Sequence, residues 1–170
     1  MASTSEATRV STWKIDPAHT LVEFSAKHMK ITTVKGRFTG VEGTLVADTE
    51  NPDASSVEVR IDANSIDTGT PDRDTHLRSA DFLDVENHPQ IVFRSKRVEG
   101  AHAEEGDEFK VVGDLTIRGT TREVELAAEY HGRGGDPWGG ERSSFSAETK
   151  IDRRDWGLTW NQMLETGGIL

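Results

Sequence analysis

The chain contains no cysteine, which excludes disulfides, thiolate nucleophiles and cysteine metal ligands, and leaves the redox compartment open. No run of about 18 apolar residues occurs, so no segment reads as a membrane-spanning helix. Basic residues are in short supply: 20 Lys and Arg stand against 30 Asp and Glu, for a net charge of −10 at pH 7. That balance disfavours a nucleic-acid partner and electrostatic docking on anionic lipid. Hydrophobic residues make up only 34% of the 170 positions, a low share for a solidly filled interior. Catalytic signatures are missing as well, with neither GxSxG nor HExxH in the sequence. Gly134-Gly135-Asp136-Pro137 reads as a turn, because no Lys or helix start follows to hold a phosphate. The six histidines, His19, His28, His76, His88, His102 and His131, lack the spacing of a local metal site. No cofactor or metal is therefore expected, short of a site assembled across strands.

What the chain has is alternation. Val57, Val59 and Ile61 alternate with Glu58, Arg60 and Asp62. Phe109, Val111, Leu115 and Ile117 do the same, as do Val124, Leu126, Ala128 and Tyr130, and Phe145, Ala147 and Ile151. A period of two marks half-buried antiparallel strands. Residues 21–26, 41–47 and 91–98 read as strands less cleanly, and Trp13 to Ile15 as a short first one. Turn chemistry separates them at Asn51-Pro52-Asp53, Gly100 to Asp107, Gly119-Thr120-Thr121 and Gly132 to Gly140. The result is one all-β domain of about eight strands over residues 13–170. The polar residues 1–12, with Glu6 and Arg9, form a flexible lead-in. They lack the apolar stretch of a signal peptide, so the chain is expected in the cytoplasm. Eight antiparallel strands curl or close, and a barrel of that size holds a side-chain core or one small ligand. A filled β-sandwich is the competing architecture.

One helical signal interrupts the strands. Thr70 suits an N-cap, Pro71 the first helical position, and Asp72 and Asp74 the positive end of the helix dipole. At four-residue spacing Asp72 can meet His76, and Asp74 can meet Arg78. A helix this short must dock on something. Leu77, Ala80 and Phe82 offer the apolar underside of a lid. Asp152 or Asp155 can cap a second short turn, and Trp156 and Trp160 are large enough to plug one end of a barrel.

Several ordered motifs carry a family resemblance: Trp13-Lys14-Ile15-Asp16-Pro17-Ala18-His19-Thr20, Gly36-Arg37-Phe38, Ile66-Asp67-Thr68-Gly69 and residues 73–82 (RDTHLRSADF). Gly113-Asp114-Leu115-Thr116-Ile117-Arg118-Gly119 and Asp155-Trp156-Gly157-Leu158-Thr159-Trp160-Asn161 complete the set. From about Trp13 to Leu170 the chain resembles the YceI-like polyisoprenoid-binding proteins. That resemblance implies an extended eight-stranded antiparallel lipocalin-like barrel, with short helices near 71–84 and 153–160. It implies an interior holding a long isoprenoid, a quinone tail or polyprenyl lipid, carried or sequestered without catalysis. Members are often periplasmic. They continue past the equivalent of Glu165-Thr166-Gly167-Gly168 into one more strand, whereas this chain stops at Leu170. An edge left open there favours pairing with a second copy of the chain.

The expected wall residues are Phe24, Phe38, Leu45, Val59, Ile61, Phe93, Leu115, Ile117 and Leu126, with His76, Leu77, Phe82, Trp156 and Trp160 at the ends. For each of them ordinary core packing is the alternative. Two other functions fit the same barrel. One is a small hydrolase or isomerase using His76 with Asp72 or Asp74. The other is a structural or stress-related barrel filled by its own side chains.

Overall fold

In the computed structural model, residues 10–28, 32–102, 104–135 and 137–160 are described. Ten antiparallel strands account for most of them. In chain order these are β1 (Val10–Lys14), β2 (Val22–His28), β3 (Thr32–Phe38), β4 (Val41–Asp48), β5 (Ser56–Asp62), β6 (Ile66–Asp67), β7 (Gln90–Glu99), β8 (Glu108–Ile117), β9 (Thr120–Gly135) and β10 (Glu141–Glu148). Helix α1 (Pro71–Arg78) lies between β6 and β7, and single 3₁₀ turns sit at Pro17–His19, Pro52–Ala54, Ala63–Ser65 and Arg153–Trp156. Seven strands form one sheet in the order β1-β4-β5-β7-β8-β9-β10, and β2, β3 and β6 form a second. The large sheet is strongly curled into a half-barrel. Its two ends approach each other through side chains: the guanidinium of Arg133, on β9, lies 4.9 Å over the ring of Trp13, on the edge strand β1. Arg142, on β10, reaches Asp16 at 2.5 Å and His19 at 2.9 Å.

Register explains the single apolar face. Directly opposed antiparallel residues point to the same side, so Gly43, Val59, Phe93 and Leu115 form one continuous inward row across four strands. Val41, Ile61 and Ile91 form the next. A β-bulge in β7 inserts a residue between Ser95 and Arg97. Without it the phase set by Ile91 and Phe93 would turn Arg97 inward; with it, Val98 faces Val111 in the core. The tight β8–β9 hairpin turns on Arg118 (φ 50°) and Gly119 (φ 75°), both left-handed, as a two-residue turn between Ile117 and Thr120 demands. Two aromatic rings lie over glycines of the neighbouring strand. A Cβ on Gly36 would run into the Phe24 ring, and one on Gly113 would come within 2.7 Å of Phe93. Glycine at these positions gives the rings their seats and relieves crowding in the bent strands.

The all-β antiparallel barrel architecture stands, with ten strands in place of eight. The two additional strands are β3 and β6. In β3 only Val34 and Phe38 mark the apolar phase, because Gly36 stands at the position between them; β6 has two residues. Strand β1 starts at Val10, three residues before the expected Trp13, so residues 10–12 are not a free lead-in. Strand β10 stops at Glu148, and Ile151 is exposed beyond it. The short helices fall where expected but are briefer: α1 ends at Arg78, and a single turn occupies Arg153–Trp156. The C-terminal stretch around Glu165-Thr166-Gly167-Gly168 lies outside the described residues.

Candidate functional site

The concave face of the half-barrel is an apolar wall. Phe93, Ile117 and Trp156 are buried in its central cluster with Ile66, Leu83, Ile91, Val98, Val111 and Val124. Phe24, Phe38, Val59, Ile61, Leu77, Phe82, Leu115 and Leu126 pack against that cluster but stay only half-buried. Leu45 is half-buried too, opposite Trp13 on β1 and Val57 on β5, away from the cluster. No large side chain among the described residues is fully buried. Val57 and Phe109 belong to the same wall and were not among the sequence candidates. Their alternation with Glu58 and Lys110 was the signal that could have found them. Two shallow clefts, of about 410 and 450 Å³, run along β8, β9 and β10. The larger is bordered by Phe109, Ala128 and Ala147; neither is an enclosed tunnel.

One end of the curl is covered by α1 and the Arg153–Trp156 turn. Thr70 occupies the N-cap position of α1, yet its side chain makes no capping bond. Buried Asp74 instead turns back to accept from the Thr68 backbone N–H at 2.9 Å and the Thr68 hydroxyl at 2.5 Å. Arg73 donates to the Thr68 hydroxyl at 2.8 Å and carbonyl at 3.0 Å. Arg78 reaches the carbonyls of Asn64 and Ile66, both at 2.9 Å. The charges of the helix therefore staple it to the β6 segment. The expected Asp74–Arg78 and Asp72–His76 pairings are displaced by these longer reaches. His76 Nε2 lies 2.8 Å from Asp81, in the loop after the helix, and the helix spacing gave no sign of it. Asp74 is thus bonded to Thr68 and His76 to Asp81, in place of the His76 pairing with Asp72 or Asp74 that the helix spacing suggested. Ala80 is exposed and does not join the apolar underside.

Three aromatic groups meet at this cap. The His76 ring stands edge-on to Phe82 at 5.1 Å and to Trp160 at 4.5 Å, and Phe82 meets Trp160 at 5.4 Å. Arg153, which the sequence candidates omitted, donates to the carbonyls of Leu158 (2.9 Å) and Trp160 (3.0 Å) and lies over Phe82. Trp156 is buried, and its indole N–H donates to the Leu115 carbonyl at 2.9 Å. That bond fixes the turn to the wall of strand β8. Asp152 caps the turn through the Arg154 backbone N–H and binds the Arg154 guanidinium, which together hold its carboxyl down at about 2.

Apart from buried Asp48 and Asp74, the paired charges lie on the outer surface. Glu58 bridges Arg60 and Arg94, which lowers its pKa through the Arg60 bond first. Lys96 pairs with Asp114 and Glu123, and Lys110 with Glu125, each raised in pKa by its carboxylate partner. At the seam the His19 and Arg142 hydrogen bonds lower the pKa of Asp16. Among the described residues no three His, Asp or Glu side chains gather as metal ligands. Nor is any described helix long and apolar enough to cross a membrane.

A curled antiparallel sheet with an apolar, incompletely filled concave face and a helical cap defines a lipocalin-like β-barrel protein. The YceI-like domain model matches residues 13–169, and the chain belongs to that family. It is 43% identical over 149 residues to Protein YceI of Salmonella newport, covering 86% of this chain and 76% of that protein. The Campylobacter jejuni YceI crystal structure superposes with a TM-score of 0.66 at 33% identity, covering 84% of this chain and 82% of that one. Burkholderia cenocepacia BcnA, at 19% identity, shares the fold with a TM-score of 0.76 over 91% of both chains. A polyisoprenoid binding domain from Saccharophagus degradans, implicated in plant cell wall breakdown, matches at 16% identity with a TM-score of 0.57, covering 88% of this chain and 82% of that one.

Proposed function

We propose that the half-barrel binds a long apolar lipid of the polyprenyl or isoprenoid-quinone type, and carries or sequesters it without chemical change. One observation carries this reading: the inward side chains Phe24, Phe38, Val59, Ile61, Leu115 and Leu126 line a concave face but are only partly buried. A barrel filled by its own side chains would bury them. Interiors are ordinarily close-packed, and large apolar groups kept partly open along a groove call for another apolar body. Burying hydrocarbon yields about 0.8 kcal/mol per CH₂-sized group. An isoprene unit of five carbons therefore supplies about 4 kcal/mol gross, and several units exceed an association cost of about 4–15 kcal/mol. The tail gives affinity, while the His76–Asp81 pair beside Trp160 offers a polar contact for a head group. The name of the Saccharophagus domain, polyisoprenoid binding, supports the same ligand class.

Native mass spectrometry of the purified protein, with and without added polyprenol or ubiquinone, tests the proposal. A one-to-one adduct and a raised thermal midpoint are expected. A protein that stays ligand-free and gains no stability from either lipid refutes it. In the adduct the lipid mass must be unchanged; conversion to a product would replace carriage with catalysis.

A further inference from the structure

The aromatic cap holds one hydrogen-bonding atom that its described neighbours leave unused. His76 Nε2 lies 2.8 Å from the Asp81 carboxylate. A carboxylate only accepts, so Nε2 carries the ring proton, and Nδ1 of the neutral imidazole keeps a lone pair. No group among the described residues bonds to Nδ1. The ring is steadied on its other side by edge-on contacts with Phe82 and Trp160. Phe82 packs in turn against the cluster that lines the concave wall. His76 therefore stands where the apolar groove meets the cap, and it offers an acceptor there.

The arginines of the cap are already engaged. Arg73 donates to the Thr68 carbonyl, Arg78 to those of Asn64 and Ile66, and Arg118 to that of Ala80. Arg153 donates to the carbonyls of Leu158 and Trp160. A guanidinium recognises phosphate by turning its fork towards it, and these forks are turned to the backbone. An anionic head would also approach the Asp81 carboxylate beside the ring. A quinone or ether oxygen only accepts, so it would face the Nδ1 lone pair without a bond. A hydroxyl donates and carries no charge, which satisfies both demands.

We infer that His76, oriented by Asp81, determines specificity: it selects an isoprenoid with a hydroxyl head over the corresponding phosphate, ether or quinone. The hydroxyl is the alcohol of a polyprenol or the phenol of a quinol. The inference rests on the proposed lipid cargo and names the chemical form in which that cargo is held. Asp81 is a positioning residue that acts through the tautomer of His76. Nitrogen NMR of isotope-labelled, ligand-free protein reads that tautomer directly, at about pH 8, above the ordinary imidazole range. Wild type should show a protonated Nε2 and a bare Nδ1, and Asp81→Leu should populate both tautomers. A proton on Nδ1 in wild type overturns the inference whatever the protein binds. The short soluble prenol farnesol, its methyl ether and its phosphate share one tail and are titrated side by side. Wild type should bind farnesol about fivefold or more tighter than the ether or the phosphate. His76→Phe, which keeps a flat ring beside Phe82 and Trp160, should level farnesol with its ether, and Asp81→Leu should narrow the gap. A short-tailed ubiquinol compared with its quinone, without oxygen, tells a phenol from an alcohol as the source of the hydroxyl. Equal binding within both pairs overturns the head-group inference and leaves the cargo reading standing. No binding of any of these lipids, with the tautomer as stated, defeats the cargo reading itself.

Discussion

Substituting Leu126→Trp separates an open groove from a filled core. Leu126 lies on β9 opposite Val111, packs against the central cluster and is only half-buried. In a close-packed interior an indole at that position forces side chains off their rotamers and costs about 1–3 kcal/mol. For a domain of this size that lowers the thermal midpoint by about 2–12 °C. In an open groove the added ring lies along the wall, gains contact with Phe109 and its neighbours, and costs well under about 1 kcal/mol. The midpoint should then stay within about 2 °C of wild type. The same ring occupies space the lipid needs, so prenol binding should weaken by about tenfold or more. Differential scanning calorimetry and a farnesol titration on one preparation read both quantities. A midpoint that falls by several degrees, with prenol affinity unchanged, would refute the reasoning.

Phe93→Ala probes the well-packed part of the same wall. Phe93 is 6% exposed and its ring lies against Gly113, so truncation should cost about 3–5 kcal/mol in urea unfolding. A loss below about 1 kcal/mol would show that the central cluster is loose as well. A pH series addresses the Asp152 cap. The folded-state pKa of about 2 lies below the ordinary 3.8, so the stabilisation is complete above pH 3.8 and fades as pH falls towards 2. Asp152→Asn should lower the urea midpoint at pH 6 and flatten its fall over that acidic interval. An equally steep fall in the variant would remove Asp152 from the account.

Alternation made the strands around Val57, Phe109 and Val124 legible, because one face meets the core and the other meets water; it also marked β10, although Phe145 there is exposed. It failed on β3, where Gly36 replaces the expected apolar residue to seat Phe24, a demand that comes from the partner strand. The wall residues were legible because the inward phase of a strand is fixed by its neighbours. How deeply each is buried was not, since that depends on the curvature of the whole sheet. At the cap, helical spacing paired His76 with Asp72, whereas the chain folds Asp81 back to His76 after Ser79 ends the helix. The seam contacts of Asp16 with Arg142 join residues 126 apart in sequence, beyond the reach of any local pattern.

The order of strands in the large sheet also bears on how the chain reaches this state. From Gln90 to Glu148, β8, β9 and β10 each pair with the strand before them, and β8–β9 turns on two residues already suited to it. Such contacts close short loops and form early, while distant pairings wait. Strand β1 must cross the β2–β3 hairpin in sequence to reach β4. During synthesis the N-terminal edge therefore leaves the ribosome long before its seam partners Arg133 and Arg142 exist. Completion of the curl becomes a C-terminal event, and a chain halted before residue 133 would hold most of the wall yet keep its seam unlatched.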